Sequence, residues 1–445
     1  MKTGRIGKAL SVIKIHQTLS GFSALCGILA LGLVVYAVEL RGEEYPYGIF
    51  PQSVTAEDAR EAWESFKEEG LTSEGTPGPN MLRQSFPGIF DGDTAGEFQA
   101  WVLILAVMHD DHETAQRVWN YCKHFIPDQR AGLVPWRISG SGRIYPMNVG
   151  DACFDYAIAL DVAARKWPDY RDDEGKSWAD WAEYYINQIY EYYPAKRTNP
   201  ESPNAISGKG YNPKMRAFHH GADEHYYLHY SPYGYLRNWQ DRTGNRNWME
   251  RVGDLESVYE AEINLQRPTL AKYYGDATEN PFSWPPHQVR KNGRPANDMI
   301  HRRYDSGWNM FNWGAGRITA RANHAFTNYG DAHGAKMLRF LAERFYEETG
   351  GDPAKIRHGY RMGDMQTGEI RPNGPGSSGW GEPNIYHIGH AAMAAMVDEQ
   401  YRDMLERMAQ ALKDFDTEGE PLPRLGQAYY LLHLTGGMDF RIEDR

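Results

Sequence analysis

Two acids at the starts of predicted helices hold most of the chemistry that this chain offers. The segment Asp93-Thr-Ala-Gly-Glu-Phe-Gln-Ala-Trp101 opens a helix with Glu97 in its first turn, and Trp101 follows four residues later on the same face. An acid beside a large apolar ring is poorly solvated, which disfavours its charged form and raises its pKa. A general acid needs that property to protonate a glycosidic oxygen near neutral pH. First-turn acids also complement the helix dipole, so this spacing has a structural use as well. The segment Asn148-Val-Gly-Asp151-Ala-Cys-Phe-Asp155 begins a second helix after a loop bearing Trp136, Arg137 and Tyr145. Asp151 occupies an N-cap position, where capping alone would account for it. Asp155 lies one turn on. Paired carboxylates flanking a sugar are the minimum equipment for glycoside hydrolysis.

The chain contains 13 Trp and 29 Tyr, and flat rings grip the apolar faces of sugars. Trp101, Trp136, Tyr145, Tyr233, Trp308, Trp313 and Trp380 are candidates for stacking, with Arg137 and Arg317 as polar sugar contacts. The run Phe218-His-His-Gly-Ala-Asp-Glu-His-Tyr-Tyr-Leu-His-Tyr230 holds several histidines and two acids. It lacks metal-ligand spacing such as HExxH, so neither a metal nor another cofactor is expected.

Positioning these residues requires a scaffold of helices. Apolar residues recur at three and four over 56–69, 96–109, 113–125, 151–167, 177–193, 232–243, 247–265, 315–329, 331–349, 389–396, 400–415 and 425–434. Strand-like alternation is confined to short pieces such as 132–139. Twelve helices in sequential pairs predict six hairpins closed into a ring, an all-α (α/α)6 barrel over 56–445. Three long connections, 194–230, 266–312 and 350–388, are rich in Pro, Gly, Asn and Trp, and loops of that length are usually functional. They are expected to wall a cleft over one mouth of the ring.

Before the barrel, Lys2, Arg5, Lys8 and Lys14 precede an apolar stretch over 19–38. That is roughly the 20 residues needed to cross a bilayer. It predicts a cytoplasmic basic tail (1–18), a transmembrane anchor or signal segment (19–38), a linker (39–55) and a catalytic domain outside the inner membrane, in the periplasm or beyond. A net charge of −11 excludes a nucleic-acid partner, because phosphate binding needs a basic surface. Cys26 falls in the apolar stretch, and Cys122 and Cys153 fall inside helices without CxxC spacing, as core thiols do.

Several runs, in order, resemble glycoside hydrolase family 8. Gly96-Glu-Phe-Gln-Ala-Trp-Val-Leu-Ile-Leu-Ala-Val-Met-His-Asp-Asp111 is similar to the helix that opens the family with Ser-Glu-Gly. Gly150-Asp-Ala-Cys-Phe-Asp-Tyr-Ala-Ile-Ala-Leu160 is similar to its Thr-Asp-Ala-Asp-Glu-Asp helix start. Val118-Trp-Asn-Tyr-Cys-Lys123, Gly132-Leu-Val-Pro-Trp-Arg-Ile138, Tyr230-Ser-Pro-Tyr233 through Trp248, Arg317 to Asp331, and Tyr429 to Gly436 extend the match over about 56–440. The resemblance implies an inverting endo-acting hydrolase of β-linked glycans on an (α/α)6 barrel. Glu97 would then be the proton donor, and Asp151 the carboxylate that holds the distorted sugar.

Inversion also needs a base. Alignment through Arg317, Arg321 and Tyr329-Gly-Asp331 puts Gly314 where the commonest subgroup of the family carries an Asp, and glycine takes no proton. Asp305, between Tyr304 and Ser306-Gly-Trp308, is the nearest replacement; Glu382 is another, and Asp276, Glu279 and Asp298 lie farther away. Two other classes fit parts of the pattern. A polysaccharide lyase would use His219, His220, His225 and Tyr226, although its uronate substrates favour a more basic chain. A non-hydrolytic glycan-binding protein, working with envelope polysaccharide synthesis components, fits the missing base and the membrane anchor.

Overall fold

The computed structural model describes residues 47–86, 92–128, 132–145, 150–192, 225–226, 232–246, 248–249, 284–285, 289–290, 310–311, 313–361 and 383–441. The chain divides after Pro46, and all of these residues belong to the unit 47–445.

Helices dominate it: α1 (Ala56–Gly70), α2 (Gly96–Met108), α3 (His112–His124), α4 (Gly150–Lys166), α5 (Trp178–Tyr192), α6 (Tyr233–Thr243), the single turn α7 (Trp313–Gly316), α8 (Ile318–Tyr329), α9 (Ala332–Thr349), α10 (Ile385–Ala395), α11 (Arg402–Lys413) and α12 (Pro421–Leu434). Their starts are fixed locally. Thr55 and Asp58 form a reciprocal capping box at α1, while Asp111, Asp331 and Asn384 each accept a backbone N–H from the first turn of α3, α9 and α10. Proline at the first position begins α12 four residues earlier than the apolar periodicity alone suggests. The helix expected over 247–265 lies almost entirely outside the described residues.

Two sets of helices are distinguished by their apolar surface. In α2, every residue from Phe98 to Val107 is buried, and α4 is buried from Gly150 to Ala164. Helices apolar all round must lie inside. By contrast α1, α3 and α11 are amphipathic, with charged faces outward. The buried helices touch in succession: α2 on α4, α6 on α8, α8 on α10, α10 on α12, and α12 back on α2. Phe154 of α4 stacks on Trp239 of α6, with ring centroids 5.5 Å apart. Outside this inner circle, α3 backs α2, α5 backs α4, α9 backs α8, α11 backs α10, and α1 packs on α12. The alternation of inner and outer helices is that of the expected six-hairpin ring.

Short antiparallel strands connect the helices. β1 (Leu71–Thr72) pairs with β2 (Arg83–Gln84), and β3 (Thr94–Ala95), β4 (Arg137–Ile138) and β5 (Ile144–Tyr145) form a three-stranded piece. Gln99 of α2 fixes β2 by accepting from Gln84 N and donating to Leu82 O. Two more pairs join β6 (His225–Tyr226) to β7 (Val289–Arg290), and β8 (Met310–Phe311) to β9 (Tyr360–Arg361).

Residues 47–55, read from sequence as the end of a tether, are fastened to this unit. Ile49 N donates to Met396 O, Gln52 and Ser53 N–H groups both donate to the Glu406 carboxylate, and Arg402 donates to Phe50 O. Cys122 and Cys153 are buried thiols, and burial pushes the Cys122 thiol up to about 12. Among the described residues no helix is long and apolar enough to cross a membrane, and the apolar stretch 19–38 lies outside them.

Candidate active site

The register of β3 against β4 places the start of α2 beside Trp136. Ala95 pairs with Arg137, and the next residue, Gly96, donates its N–H to Trp136 O at 2.6 Å. A side chain at 96 would not fit: a Cβ there would lie 3.1 Å from Trp136 O, 3.2 Å from Pro135 O and 3.5 Å from the Ala152 Cβ. That close approach aligns the first turns of α2 and α4, so Glu97 and Asp151 emerge from neighbouring helix starts. Glu97 is half-buried, and the Trp136 indole Nε1 donates to its Oε1 at 3.0 Å.

Asp151 is fully buried and forms an ion pair with Arg317, the first residue after the α7 turn. The other carboxylate oxygen, Oδ1, is buried with no hydrogen-bond partner among the described residues. Arg317 also donates to Gly314 O. Burial lowers the Arg317 guanidinium to about 10, and the Glu97 carboxylate pulls in the opposite direction. It therefore stays charged at neutral pH. Glu97, Arg317 and Asp151 thus share one electrostatic environment at a single mouth of the ring.

One turn deeper, Asp155 and Arg321 repeat the arrangement at 2.5 Å, both fully buried, with Trp101 as a further hydrogen-bond partner of Asp155. Neither this pairing nor the role of Arg321 was read from the sequence. The matching i, i+4 spacings in Asp151/Asp155 and Arg317/Arg321 carried the signal.

The remaining candidates separate into three groups. Trp101 is 2% exposed, and its ring stacks on Tyr429 at 4.3 Å, so packing occupies the face expected to meet a sugar. The indole that holds Glu97 is that of Trp136. Arg137 and Tyr145 form a braced corner: Arg137 Nε donates to Asp93 at 2.7 Å and its guanidinium covers the Tyr145 ring at 4.8 Å, with Arg143 at 5.6 Å. Asp93, missed in sequence, also accepts from Gly140 N. Asp305, Trp308, Trp380 and Glu382 lie outside the described residues, as do the side chains of Tyr233 and Trp313 and of the lyase candidates His225 and Tyr226.

Among the described residues one acidic group, Asp172, Asp173 and Glu174, has its oxygens close enough together to hold a metal. The Lys123 ammonium already sits among them, 2.8 Å from Asp172 and 2.5 Å from Asp173. Its single positive charge offsets one of the three negative ones.

Residues 44–192 match the model of the glycosyl hydrolases family 8. No curated protein is significantly similar in sequence. Among solved structures, a β-1,3-1,4-glucanase from Paenibacillus sp. X4 superposes with a TM-score of 0.69 at 14% identity, covering 88% of this chain and 96% of that one. Rex8A from Paenibacillus barcinonensis, complexed with xylose, gives 0.61 at 12% identity over 87% of this chain and 94% of its own. A xylobiose complex of a family 8 protein from Teredinibacter turnerae gives 0.59 at 15%, over 86% and 94%. At these identities the superpositions speak for the fold, a mostly helical family 8 architecture. Residues 44–192, which bear Glu97 and Asp151, thus carry the family 8 glycosyl hydrolase pattern; the resemblance read from the motifs is borne out, and with it the enzyme class, hydrolysis of O-glycosyl bonds.

Proposed function

We propose that this chain cleaves β-linked polysaccharide internally, with inversion, in a cleft over the mouth that holds Glu97 and Asp151. The observation that carries this reading is the placement of Glu97: half-buried, held by an indole N–H, and facing a buried Arg317–Asp151 pair. Partial desolvation keeps a carboxylic acid protonated to higher pH, as a proton donor requires. Asp151, ion-paired with Arg317 through one oxygen, has a second buried oxygen to offer a sugar hydroxyl. Xylose and xylobiose occupy two of the similar structures, which supports an oligosaccharide ligand.

The base is Asp305 in this proposal, because Gly314 precedes Arg317 where a carboxylate is expected. Inverting action places its carboxyl roughly 6.5–9.5 Å from that of Glu97, leaving room for one water. The basic tail and apolar stretch 1–38 would tether the barrel to the inner membrane, with the cleft on the periplasmic side and envelope polysaccharide synthesis components as neighbours.

The test is Glu97→Gln, which removes the proton and keeps the shape. Turnover of soluble β-glucan or xylan should fall by about 10²–10⁴ while oligosaccharide binding persists. Nuclear magnetic resonance of the first product should show the α-anomer. Undiminished turnover in the Gln variant removes Glu97 from the chemistry. A second reading, a glycan-binding protein without turnover, is favoured by the glycine at 314; it requires that the wild-type chain bind oligosaccharide and release no new reducing ends.

A further inference from the structure

We infer that Trp136 is a positioning residue for proton transfer: its indole N–H selects which oxygen of Glu97 gives up the proton. The inference rests on the reading of Glu97 as proton donor.

An indole nitrogen donates and never accepts. Its 3.0 Å contact makes Glu97 Oε1 the accepting oxygen, the role that an unprotonated carboxyl oxygen fills best. In the neutral acid, the proton resides on Oε2. When the bridging C–O bond breaks, that proton passes from Oε2 to the departing oxygen, which keeps the bonding pair, and the negative charge spreads over both Glu97 oxygens. The Trp136 hydrogen bond then becomes charge-assisted and stronger. An interaction that strengthens as the proton leaves lowers the barrier rather than tightening substrate binding.

The backbone supports this role. Gly96 N donates to Trp136 O at 2.6 Å, and Ala95 pairs with Arg137, so the residue just before the acid is joined at main chain to the residue bearing the indole. The half-buried Trp136 ring packs against the core, which fixes its plane. Neither group can swing without the other.

The test replaces Trp136 with β-(3-benzothienyl)alanine, in which sulfur substitutes for the N–H while the bicyclic shape remains, alongside Trp136→Phe. On a natural glycan, kcat should fall on the order of tenfold, the worth of one hydrogen bond to a charged group, with KM within about twofold. The alkaline limb of the rate profile should move to higher pH, because the carboxylate loses a donor. On a 2,4-dinitrophenyl oligoglycoside, whose leaving group needs no proton, the isostere should match the wild type. An equal loss on both substrates, or an unmoved alkaline limb, would mean that the ring serves only shape or stacking and overturns the inference. Glu97→Gln run in parallel separates the two claims: if it is inert on glycan while the isostere keeps wild-type kcat, only the role of Trp136 fails.

Discussion

Arg321 reaches Asp155 at 2.5 Å across the same 166-residue interval that separates Arg317 from Asp151. The two ion pairs are successive rungs between α4 and α8, one turn apart on each helix, so both helices run in matched register. The upper rung lies at the starts of the two helices, and the lower one is packed among Trp101, Tyr429 and Tyr235.

The lower rung is structural. Asp155→Asn leaves Arg321 charged and buried without its counter-ion, and losing one partner of such a pair costs about 3–5 kcal/mol. Urea unfolding should register that loss. A midpoint unchanged from the wild type would show that the pair contributes nothing net.

Under the proposed function the upper rung serves the chemistry. Asp151→Asn keeps the side-chain volume but removes the charge opposite Arg317, so kcat/KM on a natural glycan should drop by at least about a hundredfold. Full activity in this variant would exclude Asp151 from the sugar-binding set.

Gly316 immediately precedes Arg317, and a Cβ there would lie 2.1 Å from the His390 Nδ1. The His390 ring cannot retreat freely, because its Nε2 shares a hydrogen bond with the buried Tyr430 hydroxyl at 3.0 Å. Gly316→Ala should therefore destabilise the protein by about 1–3 kcal/mol and shift Arg317 away from Asp151, lowering activity as well. Wild-type melting and wild-type kcat together would contradict the tight packing described for α7.

A buried histidine and a half-buried one predict acid sensitivity. Burial depresses His433 to about 3 and His109 to about 4, while an unfolded histidine titrates near ~6.5. The unfolded chain therefore binds more protons between these limits, and stability present above ~6.5 is lost progressively as the pH falls toward 4. Each residue contributes about 2 kcal/mol of that loss by pH 5. His324 stacks on His433 at 4.6 Å, and burial lowers its pKa too, so a second charge there would face the first. Equal denaturation midpoints at pH 7 and pH 5 would rule this out.

Most of the scaffold was legible because it is local. Caps such as Thr55 with Asp58, and the unbroken apolar run from Trp101 to Val107, announce an outer and an inner helix within a few residues of sequence. Glu97 was legible for the same reason. Its hydrogen-bond partner was not: that indole comes from Trp136, 39 residues away and next to a strand, brought there by β-pairing. Arg317 and Arg321 reach across 166 residues, a distance no helical periodicity encodes. The expected base, Asp305, belongs to a connection that offers no periodicity at all.

Ring closure constrains how the chain comes into being. Trp63 and Phe66 on α1 are buried in the core, and α1 packs chiefly on α12, while Gln52 is bonded to Glu406, 354 residues later. During synthesis α1 thus has no surface to cover its apolar face until the last helix has emerged. Contacts of such long sequence separation fold slowly and leave apolar faces open meanwhile. A nascent chain stopped short of Pro421 has an unfinished circle, and α1 becomes its adhesive end.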